Sequence, residues 1–118
     1  MPEDEYQKLV GQRRTWYKTL GAIYCPCLKA NVRFNAKGFY HLLYDGNGMP
    51  RPRAEQIRRL MLLPLVPEII ANVRSVGGNQ TIKGIEYLVL QNIRARVIIR
   101  KKASGNYFYH SIMDERHK

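Results

Sequence analysis

The sequence predicts an α+β fold in which N-terminal helices pack on one face of a C-terminal antiparallel β-meander of three to four strands. Before residue 73, most apolar residues recur every three to four positions, which is the spacing of amphipathic helices. From Ile85 onward, the apolar residues follow strand spacing, and short turn-like segments separate the runs. Helices first and strands last is an order typical of α+β proteins.

The first helix is predicted over residues 3–20, because its apolar residues follow helical spacing and a glycine comes next, where helices commonly end. Residues 22–29 contain Pro26, which favours an extended connector. Residues 31–34 alternate polar and apolar side chains and are predicted to form a short strand. The apolar stripe of the first helix consists of Tyr6, Leu9, Val10, Trp16, Tyr17 and Leu20.

Residues 35–44 form the second predicted helix, with Asn35 as a favourable N-cap. Lys37, His41 and Tyr44 fall at i, i+4 and i+7, so they share one side of this helix. This side has two interpretations: a polar surface that faces water, or the acid/base wall of a site for a phosphate-rich partner. The apolar side consists of Phe39, Leu42 and Leu43.

The turn-rich segment 45–50 ends this helix, and a third helix is predicted over residues 53–63. Prolines at 64 and 67 interrupt the helical pattern, so residues 65–72 are predicted to form a separate, offset helical segment. The glycine-containing segment 74–84 is predicted to be a loop. In the third helix we expect Ile57, Leu60 and Met61 to be buried and Arg53, Arg58 and Arg59 to face outward.

Three strands are predicted over residues 85–91, 94–102 and 107–114, with a turn at 104–106. The middle strand alternates strictly, as expected for a sheet with one solvated face. Its basic face is either a surface in contact with water or a phosphate-binding surface. One face carries Ala95, Val97 and Ile99, and the other carries Arg94, Arg96, Ile98, Arg100 and Lys102.

The position of His110 in the last strand depends on whether that strand is regular. If Phe108 and Ile112 are buried, then Tyr109 and Ser111 lie on the basic face and His110 is directed inward or lies at an edge. A β-bulge would instead turn His110 toward the open face. The sequence leaves both arrangements open.

Charge is the strongest global signal. The formal net charge is +11, and between residues 6 and 113 there are four acidic residues against 18 basic ones. Such an excess makes a compact domain repel itself, which favours a polyanionic partner. Twelve of the basic residues are arginine, which binds phosphate through two hydrogen bonds. We therefore expect nucleic acid as the partner; a ribosome-like or membrane-surface basic protein is the alternative.

No metal or cofactor is expected. Cys25 and Cys27 supply two thiols one residue apart, and the three histidines of the chain are His41, His110 and His117. This set is too small and too dispersed in sequence to predict a tetrahedral zinc site. We expect both thiols to be reduced and buried or half-buried near the entry to a strand.

No membrane association is expected, and a cytoplasmic location is predicted. The sequence has no run of about 18 apolar residues, the length that a transmembrane helix requires. Its first residues are acidic, and no apolar segment with a cleavage site follows them, which argues against a secretory signal. The chain is predicted to form one domain over residues 1–118.

Several short motifs along the chain carry a resemblance to a known family. They are Cys-Pro-x-Leu-Lys at 25–29, Val-x-Phe-Asn-x-x-Gly-Phe-x-His-Leu at 32–42, Arg59-Leu60, Glu68-Ile69-Ile70, Glu86-Tyr87, Val97-Ile98-Ile99-Arg100 and Ser111-Ile112-Met113. These motifs resemble a family of small bacterial and phage-associated proteins, which in turn resembles the barnase/EndoU/colicin/RelE-like nuclease superfamily. The resemblance covers residues 24–114 as a nuclease-like core, preceded by an N-terminal helical segment 1–23. It implies a barnase/RelE-like arrangement of N-terminal helices on an antiparallel sheet.

The resemblance implies metal-independent cleavage of RNA through attack of the ribose 2′-hydroxyl, as in a toxin or effector domain. His41 would act as base or acid because its usual pKa is near neutral. The catalytic residues implied by position are Lys37, His41, Arg96, Arg100 and Ser111, and Glu86 and His110 are further candidates. The nucleic-acid-binding candidates are Arg33, Tyr40, Tyr44, Arg94, Lys102 and Tyr109.

Two other functions fit the same residues. One is a non-catalytic RNA- or DNA-binding module that uses the basic sheet face. The other is a basic regulatory protein that binds an acidic partner. An acidic antitoxin or immunity protein would also be the expected partner of a toxin.

Overall fold

The computed structural model describes residues 1–114, in which four α-helices and one six-stranded sheet confirm the α+β class. The last four residues of the predicted 1–118 domain lie outside this range. Within it, no helix is long and apolar enough to cross a membrane. The helices are α1 (Glu3–Tyr17), α2 (Ala36–Leu43), α3 (Arg53–Leu62) and α4 (Val66–Asn72), with a 3₁₀ turn at Leu63–Leu65. The strands are β1 (Ala22–Cys25), β2 (Ala30–Arg33), β3 (Gly78–Ile82), β4 (Ile85–Gln91), β5 (Ala95–Lys101) and β6 (Tyr107–Asp114).

The sheet is larger than predicted and is mixed rather than wholly antiparallel. Its strand order is β1-β2-β6-β5-β4-β3. All neighbouring pairs are antiparallel except β2 and β6, which run parallel through two residue pairs, Val32 with Tyr107 and Arg33 with Phe108. Beyond this short pairing, α2 and α3 pack against β6.

The two additional strands lie in segments predicted to be a connector and a loop. β1 pairs with β2 across a turn in which Lys29 has a φ of 54°. β3 pairs with β4 across a turn at Lys83 and Gly84, both with positive φ. Every residue of the edge strand β3 is exposed. Its sequence therefore lacks the alternation of apolar and polar residues by which a strand with one buried face is predicted.

The outcome for α3 is mixed, because its inner face is partly polar. Leu60 is buried as predicted, but Met61 is 56% exposed and Gln56 is buried in its place. Gln56 accepts a hydrogen bond from the hydroxyl of Tyr6 on α1. Arg59, predicted to face outward, is directed toward β6, where its guanidinium donates two hydrogen bonds. Polar contacts with α1 and β6 thus determine which side chains of α3 face inward, and hydrophobic spacing does not predict such contacts.

A bulge in β6 decides the position of His110. Ile98 pairs with Ser111 and Ile99 pairs with Tyr109, which leaves His110 as the extra residue of β6. Tyr109 is only 1% exposed, which excludes the regular arrangement with Tyr109 on the basic face, and the bulged alternative is the one observed. The bulge reverses the alternation at this point, turning Tyr109 into the core beside the buried Ile99.

α2 forms as predicted and lies directly on β6. The side chain of Asn35 caps it by accepting a hydrogen bond from the Gly38 amide at 3.2 Å. Gly38 is buried, and a Cβ atom at this position would lie 2.7 Å from the Tyr109 ring and 2.8 Å from its carbonyl oxygen. It would also meet the hydroxyl of Tyr17 on α1. Only glycine therefore allows this approach of helix to strand.

Gly38→Ala is expected to lower the free energy of unfolding by about 1–3 kcal/mol, because the added methyl group overlaps the backbone of β6. Gly11→Ala is the matched control. Gly11 lies in α1 with nothing within 4 Å of a Cβ, so alanine there should stabilise the protein by about 1 kcal/mol. Urea unfolding of both variants measures the difference. Equal stability of the two variants would show that α2 does not need to approach β6 this closely.

Candidate functional site

Two histidines meet where α2 lies on β6. His41 follows Gly38 by three residues and so lies on the same face of α2, and His110 directly follows Tyr109, the residue that Gly38 contacts. The centroids of the two imidazole rings are 4.3 Å apart, with the rings tilted by 54°. His41 is 9% exposed, so the interpretation of this helix side as a water-facing surface is wrong at His41.

The two histidines line a cleft of about 290 Å³ that also carries three cationic side chains, Lys37, Arg51 and Arg100. Among the described residues, no carboxylate lines it. Such a concentration of positive charge around two imidazoles selects for an anion. We call this the histidine cleft, lined by Lys37, His41, Gly46, Arg51, Ile85, Tyr87, Arg100 and His110.

Arg51 reaches the cleft because the segment after α2 folds back. A bridge joins Tyr44 to Pro50, and the Arg51 amide donates to the Leu43 carbonyl oxygen at 2.9 Å. The Arg51 Nε then donates to the carbonyl oxygen of His41 at 2.9 Å, and one Nη donates to Glu55 at 3.0 Å. The guanidinium is therefore fixed beside His41 before any ligand binds.

Arg59 fixes the bulged strand from the other side. One of its Nη atoms donates to the Ser111 hydroxyl at 2.8 Å and to the Ile112 carbonyl oxygen at 3.0 Å. Its Nε lies 3.7 Å from Glu55, so this one carboxylate contacts both Arg51 and Arg59. Arg59 and Glu55 thus tie α3 to the residues that follow His110.

Two buried nitrogen atoms of the cleft have no hydrogen-bond partner among the described residues: Nε2 of His41 and Nε of Arg100. Buried polar atoms in folded proteins are nearly always paired, so each unpaired one requires an explanation. Both atoms belong to side chains that line the same cationic cleft, and an anion bound there would interact favourably with the Arg100 guanidinium and with a protonated His41.

Burial lowers the pKa of His41 below its usual range, and the positive charges of Lys37, Arg51 and Arg100 lower that pKa further. Burial also lowers the pKa of His110, to about 4, with additional effects of His41 and Arg100. Both imidazoles are therefore neutral in the free protein at neutral pH. A bound anion would raise both pKa values, because it offsets the same positive charges.

The other predicted catalytic residues do not join the cleft. Arg96 lies four residues before Arg100 on β5, about 13 Å along the strand, and its Nε donates to Gln91 at 3.2 Å. Glu86 accepts a hydrogen bond from Asn79 at 3.0 Å and does not line the cleft. Ser111 is buried and holds Arg59, so its contact with the cleft is indirect.

The nucleic-acid-binding candidates are dispersed. Tyr40 and Tyr44 stack on each other, with ring centroids 4.4 Å apart, and line a separate pocket between α1 and α2. Tyr109 is in the core, so it cannot stack on a base. The other candidates, Arg33, Arg94 and Lys102, are exposed and outside the lining of the histidine cleft.

Four residues of the cleft are absent from the predicted site: Gly46 and Ile85, and the two with polar side chains, Arg51 and Tyr87. Tyr87 pairs with Arg100 across β4 and β5, so the two side chains share one face. The short connection between these strands is the signal that could have identified Tyr87, because it limits the possible registers. For Arg51, the signal is its place directly after the turn-rich segment 45–50, which returns the chain to α2.

Cys25 ends β1 and Cys27 lies in the turn that leads into β2, so both cysteines lie near the entry to a strand, as predicted. Cys25 is buried, Cys27 is half-buried, and their sulfur atoms are 3.6 Å apart as free thiols. Burial, together with the neighbouring Cys25, raises the pKa of Cys27 to about 11. The Cys27 thiol is therefore protonated at neutral pH and a poor nucleophile.

Comparisons with protein-family models, with curated proteins and with solved structures found no significant match in any of the three. Within residues 1–114, no group of three histidine, cysteine or acidic residues is placed to hold a metal ion. The site must therefore be interpreted from its own residues.

The lowered histidine pKa values predict that acid destabilises the protein well above the usual carboxylate range. In the unfolded chain a histidine has a pKa of about 6.5, so the unfolded state binds more protons than the folded state below that pH. The free energy of unfolding should fall as the pH decreases from about 6.5 to about 5. Urea unfolding across this range measures the slope, and His110→Asn should reduce it. An unchanged slope in that variant would contradict the burial of a neutral His110.

Proposed function

We propose that this protein is a metal-independent ribonuclease that cleaves RNA by attack of the ribose 2′-hydroxyl on the adjacent phosphate. The observation that carries the proposal is the His41–His110 pair, with rings 4.3 Å apart in a cleft lined by three cationic side chains. Imidazoles supply proton transfer near neutral pH, and fixed cations stabilise a phosphate whose charge increases in the transition state.

Lys37, Arg51 and Arg100 would hold the scissile phosphate. Arg51 is oriented by its hydrogen bonds to His41 and Glu55, and Arg100 is 6% exposed with an unpaired Nε. Charged groups that are fixed and partly removed from water act on a developing negative charge without first having to reorient. The phosphate in turn would offset the mutual repulsion of these three cationic side chains.

His110 would act as the general base and His41 as the general acid. His110 has a pKa of about 4 in the free protein, so it is available in its neutral form to accept the proton of the 2′-hydroxyl. His41 would donate a proton to the departing 5′-oxygen after the bound phosphate has raised its pKa.

The direct test is incubation of the purified protein with single-stranded RNA in EDTA. Cleavage should persist in chelator, and His41→Ala and His110→Ala should each reduce the rate by about 10²–10⁴-fold, the usual contribution of a general acid or base. Gel analysis of labelled RNA measures the rates, and thermal unfolding confirms that the variants are folded.

Arg74→Ala is a control for substitution outside the site, because Arg74 is exposed between α4 and β3 and lines none of the cleft. Its rate should equal that of the wild type. Cleavage that chelator abolishes, or that survives in both histidine variants, would contradict the proposal. Salt-dependent binding without any product would identify a non-catalytic nucleic-acid-binding module instead.

A further inference from the structure

A second concavity adjoins the histidine cleft on the sheet. This sheet groove has a volume of about 600 Å³ and lies between β3 and α3. It shares three lining residues with the histidine cleft: Arg51, Tyr87 and His110. A ligand whose phosphate occupies the cleft would therefore extend directly into the groove.

Strand register explains the lining of the groove. One row of paired residues crosses the sheet from Gly78 through Val89 and Ile98 to Ser111. The adjacent row pairs Gln80 with Tyr87 and Tyr87 with Arg100. Paired residues share a face of the sheet, so the first row forms the floor of the groove and the second leads to the cationic cleft.

The chemistry of the groove suits a flat, largely apolar group with polar edges. Val89, Ile98 and Met113 provide apolar surface, and Tyr87 presents an aromatic ring at the boundary with the cleft. The side-chain amide of Gln80 makes no hydrogen bond to the described residues, so both its donor and its acceptor are available to a ligand. Pockets of this size with an apolar lining and a few polar groups are typical of small-molecule sites.

We propose that the sheet groove binds the nucleobase attached to the phosphate in the histidine cleft. The proposal rests on the proposed function only in taking that cleft as the phosphate site. A nucleobase has an apolar face that can stack on Tyr87 and polar edges that can bond to Gln80. The pocket at Tyr40 and Tyr44 shares no lining residue with the cleft, so a base beside the bound phosphate is better placed in the sheet groove.

Adenosine 5′-monophosphate and ribose 5-phosphate are a matched pair of probes, because they differ only in the base. Calorimetry should show about tenfold tighter binding of the nucleotide, a contribution in the range of one stacked base. Gly78→Trp places a large side chain in the groove without altering a residue of the cleft. A Cβ at Gly78 meets nothing within 4 Å, so the strand can accept the change.

In Gly78→Trp, nucleotide affinity should fall to that of ribose 5-phosphate, while ribose 5-phosphate binds as it does to the wild type. Gly11→Trp is the control, because Gly11 is equally open and lies on α1, which contributes no residue to the groove. This control should keep the tenfold preference. Equal binding of the two probes to the wild type, or an unchanged preference in Gly78→Trp, would overturn the base site and leave the phosphate site intact.

A second measurement needs no variant. In methyl and aromatic NMR spectra of the wild type, the nucleotide should shift the methyl signals of Val89 and Ile98 together with the ring signals of His41 and His110. Of these signals, ribose 5-phosphate should shift only those of the two histidine rings. Nucleotide binding that leaves the Val89 and Ile98 signals in place would overturn the inference. If neither probe perturbs the histidines, the phosphate site fails, and the proposed function fails with it.

Discussion

The candidate site depends on the close approach of α2 to β6 at Gly38. A Cβ at this position would lie 2.8 Å from the Tyr109 carbonyl oxygen, so any larger residue would displace the helix. His41 is one turn further along the same helix face, and His110 is the next residue of the strand. The same contact that packs the helix onto the sheet therefore brings the two imidazoles together.

The bulge in β6 supplies the second condition. In a regular strand, Tyr109 and Ser111 would share one face of the sheet, and His110 and Ile112 would share the other. The bulge lets Tyr109 and Ile112 both enter the core while His110 and Ser111 line the sheet groove. Arg59 holds the strand after the bulge by bonding to Ser111 and Ile112.

The electrostatics of the cleft are unfavourable in the free protein and become favourable with an anion. Three cations line the cleft together with the buried His41 and the half-buried His110, and the nearby carboxylate of Glu55 is shared between Arg51 and Arg59. Burial lowers the pKa values of both histidines, and repulsion between a protonated imidazole and these cations lowers them further. Binding a phosphate would relieve that repulsion. The same arrangement of charges would therefore contribute both to phosphate affinity and to proton transfer by the histidines.

The sequence predicts the elements better than their contacts. Periodicity identifies α2, and its N-cap and apolar side are confirmed, because these features are local. The site requires non-local information: the bulge at His110, the return of Arg51 to α2, and the register that pairs Tyr87 with Arg100. Hydrophobic spacing likewise does not predict the edge strand β3, since all of its residues are exposed.

The central claim is that two neutral histidines form a phosphate site, and NMR titration of their ring protons tests it most directly. Without ligand, His41 and His110 should both titrate below the usual histidine pKa, with His110 at about 4. Saturating inorganic phosphate should raise both pKa values. Unchanged pKa values in phosphate, or an ordinary pKa of about 6.5 for both residues in the free protein, would contradict the account.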